Sequence, residues 1–253
     1  MTLTQISRRG FSILGAISST LNGNLMCTGS LKHIESLLHI DFSENYSCKY
    51  SEEIQTVHFG GSHQQASLHT GVLYTTGEQA PHTFCSMSPS RRHDPVAIWA
   101  HLDLVLKVLR EQHPQVSILN FFSDGLATQY RQKGNFFYLS TEPFKYGFTE
   151  ITWNFFEASH GKGAPDGVGE ALKRSADWIV AHGGDIPDAQ SLYDKLKSVE
   201  TSVELFFIPE RDIESKNKVK AIAWFQVPVP PLSSRLQNSF VKSDPFLFCC
   251  VVK

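Results

Sequence analysis

Apolar stretches of strand length and of helix length alternate along this chain. Ile34–Ile40 is a short apolar stretch that runs into Asp41-Phe-Ser-Glu-Asn-Tyr46, a strand that carries an acid. Leu68, Val72 and Tyr74 within Ala66–Thr75 predict a second strand, and His82–Met87 a third. Three adjacent strands with short turns predict an antiparallel meander. Asp94 is a suitable helix cap and Pro95 suits the first helical position. Ile98, Leu102, Val105, Leu106 and Leu109 then repeat on one helical face until His113-Pro114 ends it. Val116–Phe122 is an apolar run of strand length leading directly into Ser123-Asp124-Gly125, which places an acid at the C-terminal edge of a buried strand.

Downstream, Ala127–Ser140 reads as helical despite Gly134, and Ile151–Glu157 as another strand. A helix from about Asp166 to Ala181 is marked by Val168, Leu172 and Ile179 and stopped by Gly183-Gly184. Asp188 caps a shorter helix with Leu192, Tyr193 and Leu196 on its apolar face, and Val203–Ile208 follows as a strand. Beyond about Glu214 the pattern fades, and Val227-Pro-Val-Pro-Pro231 excludes a helix or a central strand. Three strands, helix, strand, helix, strand, helix is the element order of the ribonuclease H-like fold. The expectation is an α/β domain over 34–210 with a mixed five-stranded sheet, a meander plus parallel strands, flanked by helices. A poorly structured segment over 1–33 precedes it and an irregular, proline-containing tail over 211–253 follows.

Composition adds exclusions more than assignments. With 41% hydrophobic and 19% charged residues the 253-residue chain is neither a disordered polyelectrolyte nor a membrane protein. A formal charge of −2 means that any nucleic-acid contact must rest on a local basic patch. Five cysteines contain no C-x-x-C pair, which argues against a disulfide framework or zinc ribbon and for a reducing compartment. Six histidines fall between His58 and His101 without H-x-x-x-H or H-E-x-x-H spacing, so they are expected to be ordinary core or surface residues. Ser7-Arg8-Arg9-Gly10-Phe11 has the outline of a twin-arginine signal, but the apolar stretch after it is short and broken by serines.

The candidate chemistry lies in three acids that this element order brings to one sheet edge. Asp41 sits on the first strand, Asp124 ends the fourth and Asp166 opens the helix after the fifth. Carboxylates are suitable ligands for hard cations such as Mg²⁺ and Mn²⁺, and two such ions about 4 Å apart suffice to cut or join a phosphodiester. Each acid also has a plain structural role open to it: a turn at Asp124-Gly125 and a helix cap at Asp166.

Several segments carry a family likeness. Asp41–Tyr46, Phe121–Gly125 with Gln129-Tyr130-Arg131, and Trp153–Gly169 with Lys173-Arg174 resemble ribonuclease H-like, DDE/D-type transposase-related proteins derived from transposons. The likeness spans about Ile40 to Ile208, and the H-G-K-x-x-x-D-G-x-G block is its most specific part. It implies Asp41, Asp124 and Asp166 as the acidic, metal-binding triad, with Glu157 and Glu170 as competitors for the third place. His160 is implied as a catalytic loop residue that moves a proton or touches the scissile phosphate, and Lys162 as its phosphate-neutralising neighbour. Arg131, Lys133, Lys173 and Arg174 make the basic patch through which DNA would be held.

The resemblance implies Mg²⁺ or Mn²⁺ as cofactor, DNA as partner and a nuclear or cytoplasmic location. It is compatible with a homo-oligomer and requires neither a membrane nor a nucleotide cofactor. A zinc finger or helix-turn-helix is absent ahead of Asp41, so autonomous transposition is not expected and a domesticated, catalytically silent binding domain is the rival reading. A phosphate loop at Gly161–Gly169 satisfies neither nucleotide-binding glycine motif, and the G-x-S-x-G of hydrolases is missing.

Overall fold

The computed structural model describes residues 31–52, 64–78, 80–126, 128–156, 163–217 and the backbone of 247–252. Strands β1 (Glu35–Ser47), β2 (Gln65–Thr75) and β3 (His82–Ser88) form the expected meander. Helix α1 (Pro95–Gln112) leads to β4 (Ile118–Ser123), and the short helices α2 (Lys133–Leu139) and α3 (Glu142–Lys145) lead to β5 (Glu150–Phe156). Then follow α4 (Ala164–Ala181), α5 (Ala189–Lys197), β6 (Val203–Phe207) and β7 (Leu247–Val252).

All seven strands join one mixed sheet in the order β6-β3-β2-β1-β4-β5-β7. The expected five-stranded sheet is therefore extended at both edges. β6 adds in parallel to β3, and β7 adds antiparallel to β5. Both additions satisfy backbone groups that a five-stranded sheet would leave open at its edges. β7 lies inside the stretch expected to be irregular, and residues 210–217 are helical as well. An apolar Leu247-Phe-Cys-Cys-Val-Val252 run is too short to stand out by periodicity; only the partner strand gives it its conformation.

Helices cover both faces because the two crossovers travel in opposite directions along the sheet. From β3 to β4 the chain crosses one way through α1, and from β5 to β6 it crosses back through α4 and α5. With one preferred hand of crossover, opposite travel puts the helices on opposite faces. One core joins Leu38, Ile40, Phe121 and Trp153 of the sheet to Trp99, Leu102 and Leu106 of α1. The other joins Leu68, Val72 and Met87 to Val168, Leu172 and Ala176 of α4 and Leu192 of α5. Burial on both faces is why the central strands are buried along most of their length, polar residues such as His39, His69, Thr70 and Asn120 included.

Local chemistry fixes the helix ends. The Asp94 side chain accepts the Ala97 N–H, and the Asp188 side chain accepts the Ser191 N–H at 2.7 Å. The helix expected over 127–140 forms only from Lys133. Upstream of it the Gln132 amide donates to the carbonyls of Thr128 and Gln129, and Asn135 donates to the Tyr130 carbonyl at 2.8 Å. Side chains thus occupy the carbonyls that a helix would have used, and the segment stays a set of turns. The Asn135 carbonyl oxygen also receives the buried Trp99 Nε1–H at 2.7 Å, tying these turns to α1.

The aromatic stack of Phe121 on Trp153, centroids 4.6 Å apart, sits at the centre of the first core, and both rings are fully buried. Replacement of Phe121 by Ala is expected to lower the unfolding free energy by about 3–5 kcal/mol in a denaturant titration, through lost burial and an uncollapsed cavity.

Candidate metal-binding site

Strand register brings the first two acids together. β1 and β4 pair in parallel, and the last paired residues are His39 with Phe122. Asp41 and Asp124 each lie two residues further along their own strands. The site is thus the C-terminal edge of two neighbouring parallel strands. Period-two alternation puts His39, Asp41 and Ser43 on one face of β1, while Leu38 and Ile40 turn into the core beneath α1.

Helix α4 lies across that same face. A Cβ added to Gly163 would meet the His39 ring at 2.6 Å, and one added to Gly169 would strike the Ser43 side chain. These two glycines let the start of α4 approach β1 at backbone distance, and Asp166 lies between them in sequence as Asp41 lies between His39 and Ser43. Asp166 also accepts the Gly163 N–H through Oδ2 at 3.1 Å, so it caps the helix as well as facing the strands.

Electrostatics record the convergence. The Asp41 carboxyl is pushed up to about 7 by burial first, and then by the negative charges of Asp124 and Asp166. Burial also raises Asp124, with Asp166 adding to it, while the Leu126 backbone N–H opposes the shift by donating to Asp124 Oδ1. All three carboxyl groups keep partial access to solvent. Their oxygens form an open group: among the described residues, only Glu78, His82 and His113 bring three ligand atoms within 4.8 Å of one another.

Two further residues border the acids. Tyr130 is fully buried, its hydroxyl makes no well-aligned hydrogen bond, and its ionisation is suppressed by burial and by the charges of Asp41 and Asp124. It therefore stays a protonated phenol within reach of the charges of both acids. His39, lowered to about 4 by burial, is a neutral imidazole against which Gly163 packs. Sequence reasoning passed over His39, although its i−2 relation to Asp41 on a strand marks the shared face.

The remaining expectations divide. Glu170, a competitor for the third acid, is exposed and paired with Lys173 at 2.5 Å, which holds its carboxyl below the usual range; it does not contribute to the shift of Asp41. Glu157, His160 and Lys162 lie outside the described residues. Lys173 and Arg174 are carried by α4 on one face of the sheet, whereas Arg131 and Lys133 belong to the turn and helix packed with α1 on the other. The four cations therefore flank the acidic edge from two sides, and do not form one patch on one face. Among the described residues no helix is long and apolar enough to cross a membrane.

No curated protein and no solved structure matches the chain. A family model described as a domain of unknown function (DUF8701) matches residues 26–234, a span that includes both sheet-edge acids, the capping acid of α4 and every described helix. The chain belongs to the DUF8701 family.

Proposed function

We propose that this domain is a transposase-derived, ribonuclease H-like phosphoryl-transfer core acting on DNA, with Asp41, Asp124 and Asp166 as the ligands of divalent cations. The observation that carries the reading is the raised Asp41 carboxyl, on which the charges of both Asp124 and Asp166 bear. Acids from distant parts of the chain meet here, and the charges of Asp124 and Asp166 disfavour ionisation of Asp41, as that of Asp166 disfavours ionisation of Asp124. A divalent cation relieves that repulsion, and oxygen-only donors suit Mg²⁺ or Mn²⁺. The order β3-β2-β1-β4-β5, with β2 alone antiparallel among the five, supports the ribonuclease H-like assignment.

When bound, such a pair of ions supplies an activated nucleophile and a stabilised leaving oxygen. The chain's own residues do the rest. Asp41 and Asp124, from adjacent strands, and Asp166, from the start of α4, would hold such ions. Tyr130 keeps its proton beside the first two acids and is placed to donate a hydrogen bond to one of them once charged. Lys173 and Arg174 on one side, and Arg131 and Lys133 on the other, meet the backbone of a strand crossing the edge.

A second reading is a domesticated domain that binds nucleic acid or protein without catalysis. It is favoured by the employment of Asp166 as a helix cap and by the net charge of −2. Nicking of supercoiled DNA separates the two. The wild-type chain is expected to nick with Mg²⁺ or Mn²⁺ and to lose at least about 100-fold of that activity in Asp124→Asn, a near-isosteric change. Absence of nicking on every DNA tried, with no measurable Mg²⁺ or Mn²⁺ binding, contradicts the catalytic reading.

A pH dependence follows from Asp41. Its folded-state carboxyl titrates near 7, above an unfolded value near 3.8, so ionisation opposes folding. In the absence of divalent ions, its contribution is fully present below about pH 4 and is lost as pH rises to about 7. Asp41→Asn is expected to be near neutral at pH 4 and to stabilise the fold by roughly 1–3 kcal/mol at pH 8, after allowance for solvent screening. Thermal melts at the two pH values measure this, and an equal effect at both contradicts it.

A further inference from the structure

At the opposite end of the sheet, the turn between β2 and β3 meets the C-terminus of α1. The turn passes through Gly77 in the left-handed region at φ 91°, and Thr76 Oγ1 donates to the carbonyls of Leu31 and Lys32. Glu78 lies just beyond, His82 opens β3, and His113 is the residue that caps α1. Their ligand atoms all fall within 4.8 Å of one another. His82 Nε2 stands 3.1 Å from both Glu78 carboxylate oxygens, and His113 Nε2 stands 3.4 Å from Glu78 Oε1.

The contact of His82 Nε2 with Glu78 Oε1 is a hydrogen bond, but the other two are not. His113 Nε2 and Glu78 Oε2 are buried atoms without a hydrogen-bond partner, although each has a polar neighbour at short range. The His113 side chain is 12% exposed, and an orphaned imidazole nitrogen beside a carboxylate costs free energy unless something else engages both. Two neutral imidazoles and a carboxylate around a four-coordinate Zn²⁺, with bonds of about 2.0–2.1 Å, stand roughly 3.3 Å from one another. The observed 3.1 and 3.4 Å bracket that value.

We propose that Glu78, His82 and His113 bind one borderline-soft divalent transition ion of the Zn²⁺ class, through three protein ligands and with a fourth coordination position open to solvent. The donor set distinguishes it from the acidic edge: imidazole selects Zn²⁺, Co²⁺ or Ni²⁺ over Mg²⁺ and Ca²⁺. Bound there, the ion ties the β2–β3 turn to the end of α1. His82, the more open of the two histidines at 44% exposure, faces the side from which an exogenous ligand or water would enter. The spacing is invisible to a search for paired histidines on one helix, because the ligands come from a turn, a strand end and a helix cap. Nothing in this site depends on the acidic edge being catalytic.

Co²⁺ titration of the full chain at pH 7.5 tests it, with Zn²⁺ displacement and a tenfold excess of Mg²⁺ as companions. The expected result is one equivalent of Co²⁺ giving visible absorption of four-coordinate intensity, displaced by Zn²⁺ and unaffected by Mg²⁺. Glu78→Gln, His82→Gln and His113→Asn should each weaken binding by about 100-fold or more, since a direct ligand is worth at least as much as the residues that orient one. Asp41→Asn and Asp124→Asn should leave the band unchanged. The half-exposed His82 makes its variant the one least able to disturb the fold, and circular dichroism verifies that. No Co²⁺ uptake by the wild type, or uptake that survives His82→Gln in a folded chain, overturns the proposal and leaves only a histidine–carboxylate ion pair.

Discussion

Parallel pairing of β1 with β4 is the constraint from which the acidic edge follows. Once His39 is held opposite Phe122, where the β1–β4 pairing ends, the residue two positions on is aspartate in each: Asp41 within β1 and Asp124 just past the end of β4. A slip by one residue would turn Asp41 into the core beneath α1 and bring Phe42 out to the face of α4, so the apolar alternation of Leu38 and Ile40 enforces the register that the acids need. Helix α4 then completes the arrangement because Gly163 and Gly169 have no side chain to hold it away from His39 and Ser43. Fold and site are set by the same contacts: the core fixes the register, and the register fixes the spacing of charge.

The energetic cost of this arrangement is visible in Asp41. Burial first, and then the charges of Asp124 and Asp166, push its carboxyl up to about 7. Tyr130 reinforces the point from beneath, with a buried hydroxyl that finds no good partner and faces the same acids. At the far end of the sheet, Glu78, His82 and His113 present a different donor chemistry, imidazole with one carboxylate, held by a turn and a helix end.

Much of the fold was legible in the sequence. Asp94 and Pro95 marked the start of α1, the alternation at Leu68 and Val72 marked β2, and the acids at Asp41 and Asp124 were placed on the strands that carry them. What escaped were features that depend on partners distant in sequence. β7 is a strand only because β5 offers an edge, and α2 is short because Gln132 and Asn135 bind carbonyls that local propensity would assign to a helix. The competition among Asp166, Glu157 and Glu170 could not be resolved by spacing; Asp166 bears on the Asp41 carboxyl, whereas Glu170 is paired with Lys173. Glu78, His82 and His113 were invisible for the same reason, because 31 residues of sequence separate His82 from His113 and only the turn of the sheet joins them.

The central claim is that Asp41, Asp124 and Asp166 form one electrostatic unit made to hold a divalent cation. The most direct measurement is the titration of the Asp41 carboxyl carbon by NMR, in the absence and presence of Mg²⁺. The account predicts a midpoint near 7 without the ion, a midpoint displaced well downward with it, and a smaller rise in Asp124→Asn. An Asp41 that titrates near the ordinary carboxylate value and ignores Mg²⁺ would contradict it.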